Sequence, residues 1–206
     1  MLVLGTFPLG DFKVLGEKFL NTSDKSNPKF YRFEDFYFDT QLGIEEPVVF
    51  DSEDKFVAIV GTPFYQNNLL TEIVNPNHLH EILSRSIEKI DSCFLVICYD
   101  KVHRLLTIYT DRFGTYVFFY TSINKLIAFS ASINRLYDLL ANFGPIKPNT
   151  KAIFEFLWFR RLFGTKTYVT EISSLPPATV CTVKVGKAIE IQPYWHPKPT
   201  QPNQRV

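Results

Sequence analysis

The chain has 206 residues, of which 46% are hydrophobic, and its 22 basic residues nearly balance its 21 acidic residues. This length suits one sizeable domain, and the balance of charge argues against a nucleic-acid-binding surface, which needs a basic excess or stripe. The three cysteines do not make a disulfide framework and favour a reducing, cytoplasmic compartment. No stretch is long and apolar enough to span a bilayer, so we expect neither nucleic acid nor a membrane as a partner.

Short runs rich in Val, Ile, Phe and Tyr predict that strands dominate the chain. The predicted strands are Phe56–Val60, Ser92–Asp100, Arg104–Thr110, Tyr116–Tyr120, Leu126–Ser130, Thr179–Val185 and Ala188–Ile191. Several of the connections are so short that the strands they join must be antiparallel. Cys93 and Cys98 fall in one such run. Positions five apart on a strand face opposite sides and cannot easily share a metal, so we expect both cysteines to be small core residues.

Three helices are predicted between these strands. Asn75 is a good N-cap and Pro76 suits the first helical position. Residues 133–140 can form a short helix, and a third is expected from about Asn149–Thr150 to Phe163, ended by Gly164. Antiparallel strands with helices segregated to the outside indicate an α+β layered fold.

Three short motifs follow one another in the second half of the chain: Thr110-Asp111-Arg112-Phe113-Gly114, Leu175-Pro176-Pro177-Ala178 and Tyr194-Trp195. In this order they resemble landmarks of the amino-terminal glutaminase domain of asparagine synthetases, a class II glutamine amidotransferase. The resemblance implies an Ntn-hydrolase-like fold, a four-layer α/β/β/α sandwich of two antiparallel sheets. We assign residues 1–195 to this domain and residues 196–206 to a linker or disordered tail.

The amino-terminal half departs from the family's pattern where the chemistry should be. The family's nucleophile is a cysteine freed at the amino terminus, and Leu2 occupies that position here. The segment aligned with the family's oxyanion and substrate motif is Val60-Gly61-Thr62. Gly61 still has its backbone N–H, but Val60 has no side-chain donor and Thr62 carries no charge. Leu2, Val60, Gly61 and Thr62 are therefore expected to form a remnant pocket without a catalytic residue.

Two further segments are singled out for structural or binding roles. Asp111, Arg112 and Gly114 are expected to form a structural turn, in which Asp111 caps local N–H groups and Gly114 relaxes the backbone. The run Phe154–Phe163 is apolar nearly all round a helix. This run is either covered by loops or forms a docking face for a partner, with Trp158, Phe159 and Arg160 as its anchors.

These observations favour a catalytically silent glutaminase-like domain, the structural or docking part of an asparagine-synthetase-like, ATP-dependent amide-forming ligase. Its partner would be an ATP-dependent synthetase domain or subunit, or a second copy of the chain. Two alternatives stay open: a module that binds a small ligand in the remnant pocket, and an amidohydrolase with an unrecognised nucleophile such as Thr6. We expect no cofactor and no metal, since His78 and His80 do not share a helix face.

Overall fold

The computed structural model describes residues 2–5, 30–33, 36–40, 45–73, 75–123, 126–184 and 187–197. Within these ranges the chain forms two six-stranded sheets, one two-stranded hairpin and three α-helices. Every strand pairing in the described residues is antiparallel. The predicted α+β class with antiparallel sheets is therefore confirmed.

Sheet I is built from strands that are far apart along the chain. They are β1 (Leu2–Gly5), β2 (Phe30–Arg32), β3 (Phe36–Asp39), β10 (Phe119–Ile123), β11 (Leu126–Ser130) and β12 (Ser173–Ser174). Their order is β12-β10-β11-β1-β3-β2, so β1 lies inside the sheet. Its first residue, Leu2, is paired with Phe129 on one side and with Phe38 on the other.

Sheet II carries the longest strands. They are β4 (Val48–Asp51), β5 (Lys55–Gly61), β8 (Phe94–Asp100), β9 (Leu105–Thr110), β13 (Thr179–Lys184) and β14 (Glu190–Pro193), in the order β14-β13-β9-β8-β5-β4. The strand β8 is buried along its whole length, as its continuous apolar run requires. The short strands β6 (Phe64–Tyr65) and β7 (Asn68–Leu69) form a separate hairpin after β5.

The helices are α1 (Pro76–Ser86), α2 (Ile133–Ala141) and α3 (Thr150–Phe159). The predicted start of α1 is confirmed, because the Asn75 side chain accepts hydrogen bonds from the N–H groups of Asn77 and His78. The predicted end of α3 at Phe163 is wrong. Arg160 adopts a left-handed conformation with φ 58° and its N–H donates to the carbonyl of Phe156, which ends the helix at Phe159.

Three buried clusters show how these elements pack. The largest contains residues of both sheets, including Phe38 and Phe129 from sheet I and Val60 from sheet II. A second cluster joins the other face of sheet II to α1 through residues such as Leu83, and a third joins sheet I to α2 through residues such as Leu136. The core between the sheets is rich in Phe, and each fully buried Phe contributes about 1.5–3 kcal/mol.

Other local predictions fail where the strand bounds differ. Cys93 precedes β8 and is exposed, contrary to the prediction, whereas Cys98 is buried as expected; Cys181 is buried too. Tyr116 is not in a strand, because pairing with β11 fixes β10 at Phe119–Ile123. Residues 198–206, most of the predicted tail, and Thr6 lie outside the described residues.

Candidate functional site

The candidate site lies where β5 ends. Val60 is fully buried in the cluster between the two sheets. Gly61 has φ +85°, and a Cβ added there would lie 2.3 Å from the carbonyl oxygen of Cys93. Only glycine fits this position, because both the backbone conformation and the available space exclude a side chain.

Polar side chains surround Gly61. The Thr62 N–H donates to the carbonyl of Cys93 at 3.1 Å, and the Thr62 hydroxyl lies 3.2 Å from that of Ser92. The Tyr116 ring packs on Gly61, since its Cε2 would be 2.8 Å from an added Cβ. The phenol of Tyr116 donates to Glu45 at 3.2 Å. Burial and the hydrogen bond to Glu45 raise the pKa of Tyr116, so the phenol keeps its proton.

The predicted remnant-pocket residues occupy both sheets. Val60, Gly61 and Thr62 follow one another at the end of β5 in sheet II, whereas Leu2 is in β1 of sheet I. The two residues paired with Leu2 belong to the same inter-sheet cluster as Val60. The two parts of the predicted pocket are therefore attached to one shared core.

Sequence reasoning missed the residues that surround Gly61. Glu45 carried no recognisable signal, Ser92 and Tyr116 were assigned to strands, and Cys93 was assigned to the core. The contact between Tyr116 and Glu45 joins residues 71 positions apart. Local pattern contains no information about such a pairing, so only the folded arrangement reveals it.

Asp111 organises the turn after β9. Its carboxylate accepts hydrogen bonds from the N–H groups of Phe113 and Thr115, at 2.8 and 3.0 Å, and from the Thr115 hydroxyl at 3.3 Å. Gly114 has φ +65°, and an added Cβ would lie 3.2 Å from the side chain of Pro177. These contacts are structural: they hold the turn and bring it against the Leu175–Ala178 motif.

Arg112 connects the same turn to two other segments. Its guanidinium donates to the Asp91 carboxylate and to the carbonyl of Glu88, both at 2.6 Å. The same group lies 5.6 Å from the centre of the Trp195 ring, a cation–π contact. The exposed Phe113 ring packs edge-on against Trp195 with 6.4 Å between ring centres.

The three motifs that carry the resemblance meet in one place, which we call the landmark node (Thr110–Gly114, Leu175–Ala178, Tyr194–Trp195). The Ala178 N–H donates to the Asp111 carbonyl at 2.8 Å, and the Tyr194 N–H donates to the Ala178 carbonyl at 2.9 Å. The Tyr194 hydroxyl donates to the Thr110 carbonyl at 2.8 Å. These hydrogen bonds connect the start of β13 and the end of β14 to the end of β9.

The helix α3 exposes the residues that we singled out for partner binding. Trp158 is 82% exposed and Phe159 is 62% exposed. Arg160, just past the helix, is exposed too. The only α3 residue that is fully buried among those described is Ala152. Within the described residues, the exposure of these side chains disagrees with the alternative in which loops cover the helix.

A cavity of about 380 Å³ lies between the β6–β7 hairpin and one face of α1. It is lined by Tyr65, Gln66, Asn68, Ile73, His78, Glu81, Ile82, Arg85 and Ser86. Val60, Gly61 and Thr62 are not among these residues, so this cavity is not the predicted remnant pocket. Nowhere in the described ranges do three or more His, Cys, Asp or Glu side chains cluster in a way that could hold a metal ion.

Comparison with protein families matches residues 66–195 to the glutamine amidotransferase domain. The match covers more than half of the chain and includes the whole landmark node, so the chain belongs to this family. No curated protein matches the chain significantly. None of the helices in the described ranges has the length and apolar character needed to cross a bilayer.

Proposed function

We propose that this chain is a catalytically silent glutamine amidotransferase domain with an Ntn-hydrolase-like, four-layer architecture. One observation carries the proposal. Val60, at the position aligned with the family's oxyanion motif, is fully buried among apolar residues between the two sheets. A donor aimed at the developing oxyanion is among the largest contributions to catalysis of this kind, about 3 kcal/mol for one group. An aliphatic side chain buried in the core supplies none.

The family match supports the identity of the domain: it begins at Gln66 and contains the landmark node. In this proposal the family's architecture is kept there, and the divergence concerns Leu2 and the segment Val60–Thr62, which precede the matched region. The hydroxyl of Thr62, which aligns with the family's substrate-binding carboxylate, lies against Ser92 instead.

A silent domain of this family keeps the role of a structural or docking part. Its partner, in this proposal, is an ATP-dependent synthetase domain or subunit of an asparagine-synthetase-like, amide-forming ligase in the cytoplasm. In the same proposal residues 1–195 are the domain, and residues 196–206 are a linker or a disordered tail. The exposed aromatic residues of α3 supply a docking surface.

Glutamate release from glutamine tests the absence of activity directly. The purified chain is incubated with glutamine beside an active glutaminase, and we expect no glutamate above the buffer background. Turnover would establish the alternative of an amidohydrolase with an unrecognised nucleophile. Immunoprecipitation followed by peptide mass spectrometry then tests the partner: peptides from an ATP-dependent synthetase are expected, and recovery of the chain alone contradicts the docking role.

A second candidate function is a binding module that uses the remnant pocket. The polar groups beside Gly61, namely the hydroxyls of Thr62 and Ser92 and the phenol of Tyr116, favour it. Thermal-shift titration with glutamine, glutamate and asparagine tests this function. A saturable rise in melting temperature that Tyr116→Ala abolishes would support the binding module, and no shift at millimolar concentrations would exclude these three ligands.

A further inference from the structure

The helix α3 presents an apolar stripe to solvent. Its residues are Ile153, Phe154, Leu157 and Trp158, which recur at the spacing that places side chains on one face of a helix. On the opposite side Ala152 is buried, and the Phe156 ring packs edge-on against Tyr168 at 5.6 Å between ring centres. The helix therefore contacts its own domain with one face and exposes the other. We call the exposed face the α3 stripe.

Positive charge surrounds this stripe. The segment 150–166 contains the cations Lys151, Arg160, Arg161 and Lys166 and one acidic residue, Glu155, which gives it a net charge of +3, whereas the whole chain carries +1. Glu155 is already engaged, because its carboxylate accepts hydrogen bonds from the Lys166 ammonium and from the Phe163 N–H.

The remaining cations have no carboxylate partner within the described residues. Lys151 and Arg160 make no ion pair there, and the Arg161 guanidinium lies over the Phe163 ring at 4.5 Å from its centre. Three cations beside the α3 stripe are thus available to an anionic surface. An occupant with the opposite charge would gain attraction at each of them.

The charge and the shape of this surface limit the kinds of molecule that can bind to it. A second copy that met α3 with its own α3 would bring two segments of net charge +3 together, which is repulsive. The aromatic residues with Arg160 and Arg161 have the composition of a protein–protein interface centre, where Trp and Arg are the usual anchors. The convex helix, about 15 Å long over its ten residues, requires a concave surface, as in helix-in-groove recognition.

We propose that α3 inserts into an apolar groove edged by Asp and Glu side chains on another polypeptide. Phe154, Leu157 and Trp158 fill the groove, and Lys151, Arg160 and Arg161 pair with its acidic edges. The identification of this polypeptide as the ATP-dependent synthetase rests on the proposed function. The chemistry of the groove is argued from the α3 stripe and its cations alone.

Site-specific photo-cross-linking tests this inference in the cells that make the protein. A photoreactive phenylalanine analogue replaces Trp158 in one variant and Phe113 in a matched control, since both side chains are 82% exposed. Cross-linked peptides are sequenced by mass spectrometry. We expect the analogue at position 158 to cross-link to a peptide of another polypeptide with apolar residues flanked by Asp or Glu, and the analogue at position 113 not to reach that peptide.

Charge reversal then tests the acidic edges in the purified complex. R160E combined with R161E should weaken the affinity about tenfold or more, and exchanging the flanking acidic residues of the partner for Lys should restore it. The control K184E with K187E makes the same change of net charge at exposed residues of another hairpin and should leave the affinity unchanged. Cross-links to a second copy, to lipid or to a groove without carboxylates would overturn the inference, as would no cross-link or an affinity insensitive to charge reversal.

The two proposals can fail separately. If a synthetase is captured but its affinity is unchanged by the charge reversal, the proposed function is supported and the acid-edged groove is overturned. A polypeptide of another kind, captured and rescued by the reciprocal charge exchange, would support the groove and overturn the synthetase partner.

Discussion

At the scale of single residues, Asp111 and Gly114 of the recognisable motifs make their contacts within the fold. Asp111 is almost fully buried, and both of its carboxylate oxygens accept hydrogen bonds from the turn that follows it. Gly114 adopts a positive φ against Pro177. Both residues make contacts that hold the turn after β9 in place.

Asp111→Ala should lower the free energy of unfolding by about 2–4 kcal/mol, because hydrogen bonds to a buried carboxylate are individually worth about 1.5–3 kcal/mol. Urea titration followed by circular dichroism measures this. The matched control is Thr115→Val, which removes only the longer 3.3 Å contact from the hydroxyl and should cost less than about 1 kcal/mol. Equal losses for the two variants would contradict the assigned role of the carboxylate.

Leu2→Cys should not create a glutaminase. A thiol at position 2 would supply a nucleophile, but Val60 would still provide no donor for the oxyanion and Thr62 no charge for the substrate's amino group. Glutamate release is measured after mass spectrometry has verified that the introduced cysteine is the amino-terminal residue. Measurable turnover by this single variant would show that the alignment at Val60 and Thr62 is wrong.

At the scale of elements, sequence pattern identified the three helices and seven of the strands, but it placed their ends less well. It did not identify β1, β2, β3, β4, β6, β7 or β12. Asn75 and Pro76 placed the start of α1 correctly, because capping is a local interaction between neighbouring residues. The end of α3 was missed because Arg160 adopts the left-handed conformation that Gly164 was expected to supply. The bounds of β10 depend on its pairing with β11, which local pattern does not encode.

Asp100, at the end of β8, should make the free energy of unfolding depend on pH in the acidic range. Burial alone would raise the pKa of Asp100, but hydrogen bonds from Lys55 and His103 outweigh it and hold the pKa far below its ordinary value. A depressed carboxyl pKa stabilises the fold above the unfolded-state pKa, about 4, and this stabilisation is lost as pH falls below it.

Asp100→Asn tests that dependence. At pH 7 the variant should be about 2–3 kcal/mol less stable, since it leaves the half-buried Lys55 without its partner. The difference from the wild type should shrink as the pH is lowered from 4 towards 2. Unfolding free energies are compared across this range, and a difference that stays constant would exclude Asp100 as the titrating group.

Trp158→Ala should change the free energy of unfolding by less than about 0.5 kcal/mol, because the exposed side chain contributes little to the core. Partner binding should weaken much more. Phe118→Ala, at a fully buried ring, is the matched control and should cost about 3–5 kcal/mol. A large fall in melting temperature for the Trp158 variant would place that side chain in the core instead.

At the scale of the whole molecule, two separate buried clusters shield two of the three thiols. Cys181 is buried between the two sheets and Cys98 between sheet II and α1. Burial raises the pKa of each of these thiols to about 12. Cys93 lies outside, beside Gly61 and Tyr116. The three thiols therefore report on different regions of the structure.

An aromatic disulfide reagent should label one thiol in the native chain and three in the denatured chain. Burial and the high thiol pKa prevent the reaction of Cys98 and Cys181, because the thiolate is the reactive form. Absorbance of the released thiol measures the stoichiometry, and Cys93→Ser should reduce native labelling to near zero. Rapid labelling of a second thiol under native conditions would show that the core opens locally.

The sequence predicted the class of fold and the family's landmarks but not the surroundings of Gly61. Periodicity and capping are local, so strands and helices could be recognised. The landmark node could be recognised by resemblance, although its contacts, such as that of Tyr194 with Thr110, span 84 positions. The packing of Tyr116 on Gly61 also joins residues that are far apart in the sequence, but it belongs to no familiar motif, so the sequence did not predict it.

The position of β1 inside sheet I has a consequence for biosynthesis. Its partner on one side, β11, begins roughly 120 residues later, since Gly5 pairs with Leu126. Ribosomes add about 5–20 residues per second, so one edge of β1 lacks its native partner for roughly 6–24 s. Unpaired strand edges invite pairing with other chains. One edge of β1 therefore stays open until β11 has been synthesised, and we expect aggregation during synthesis to begin there.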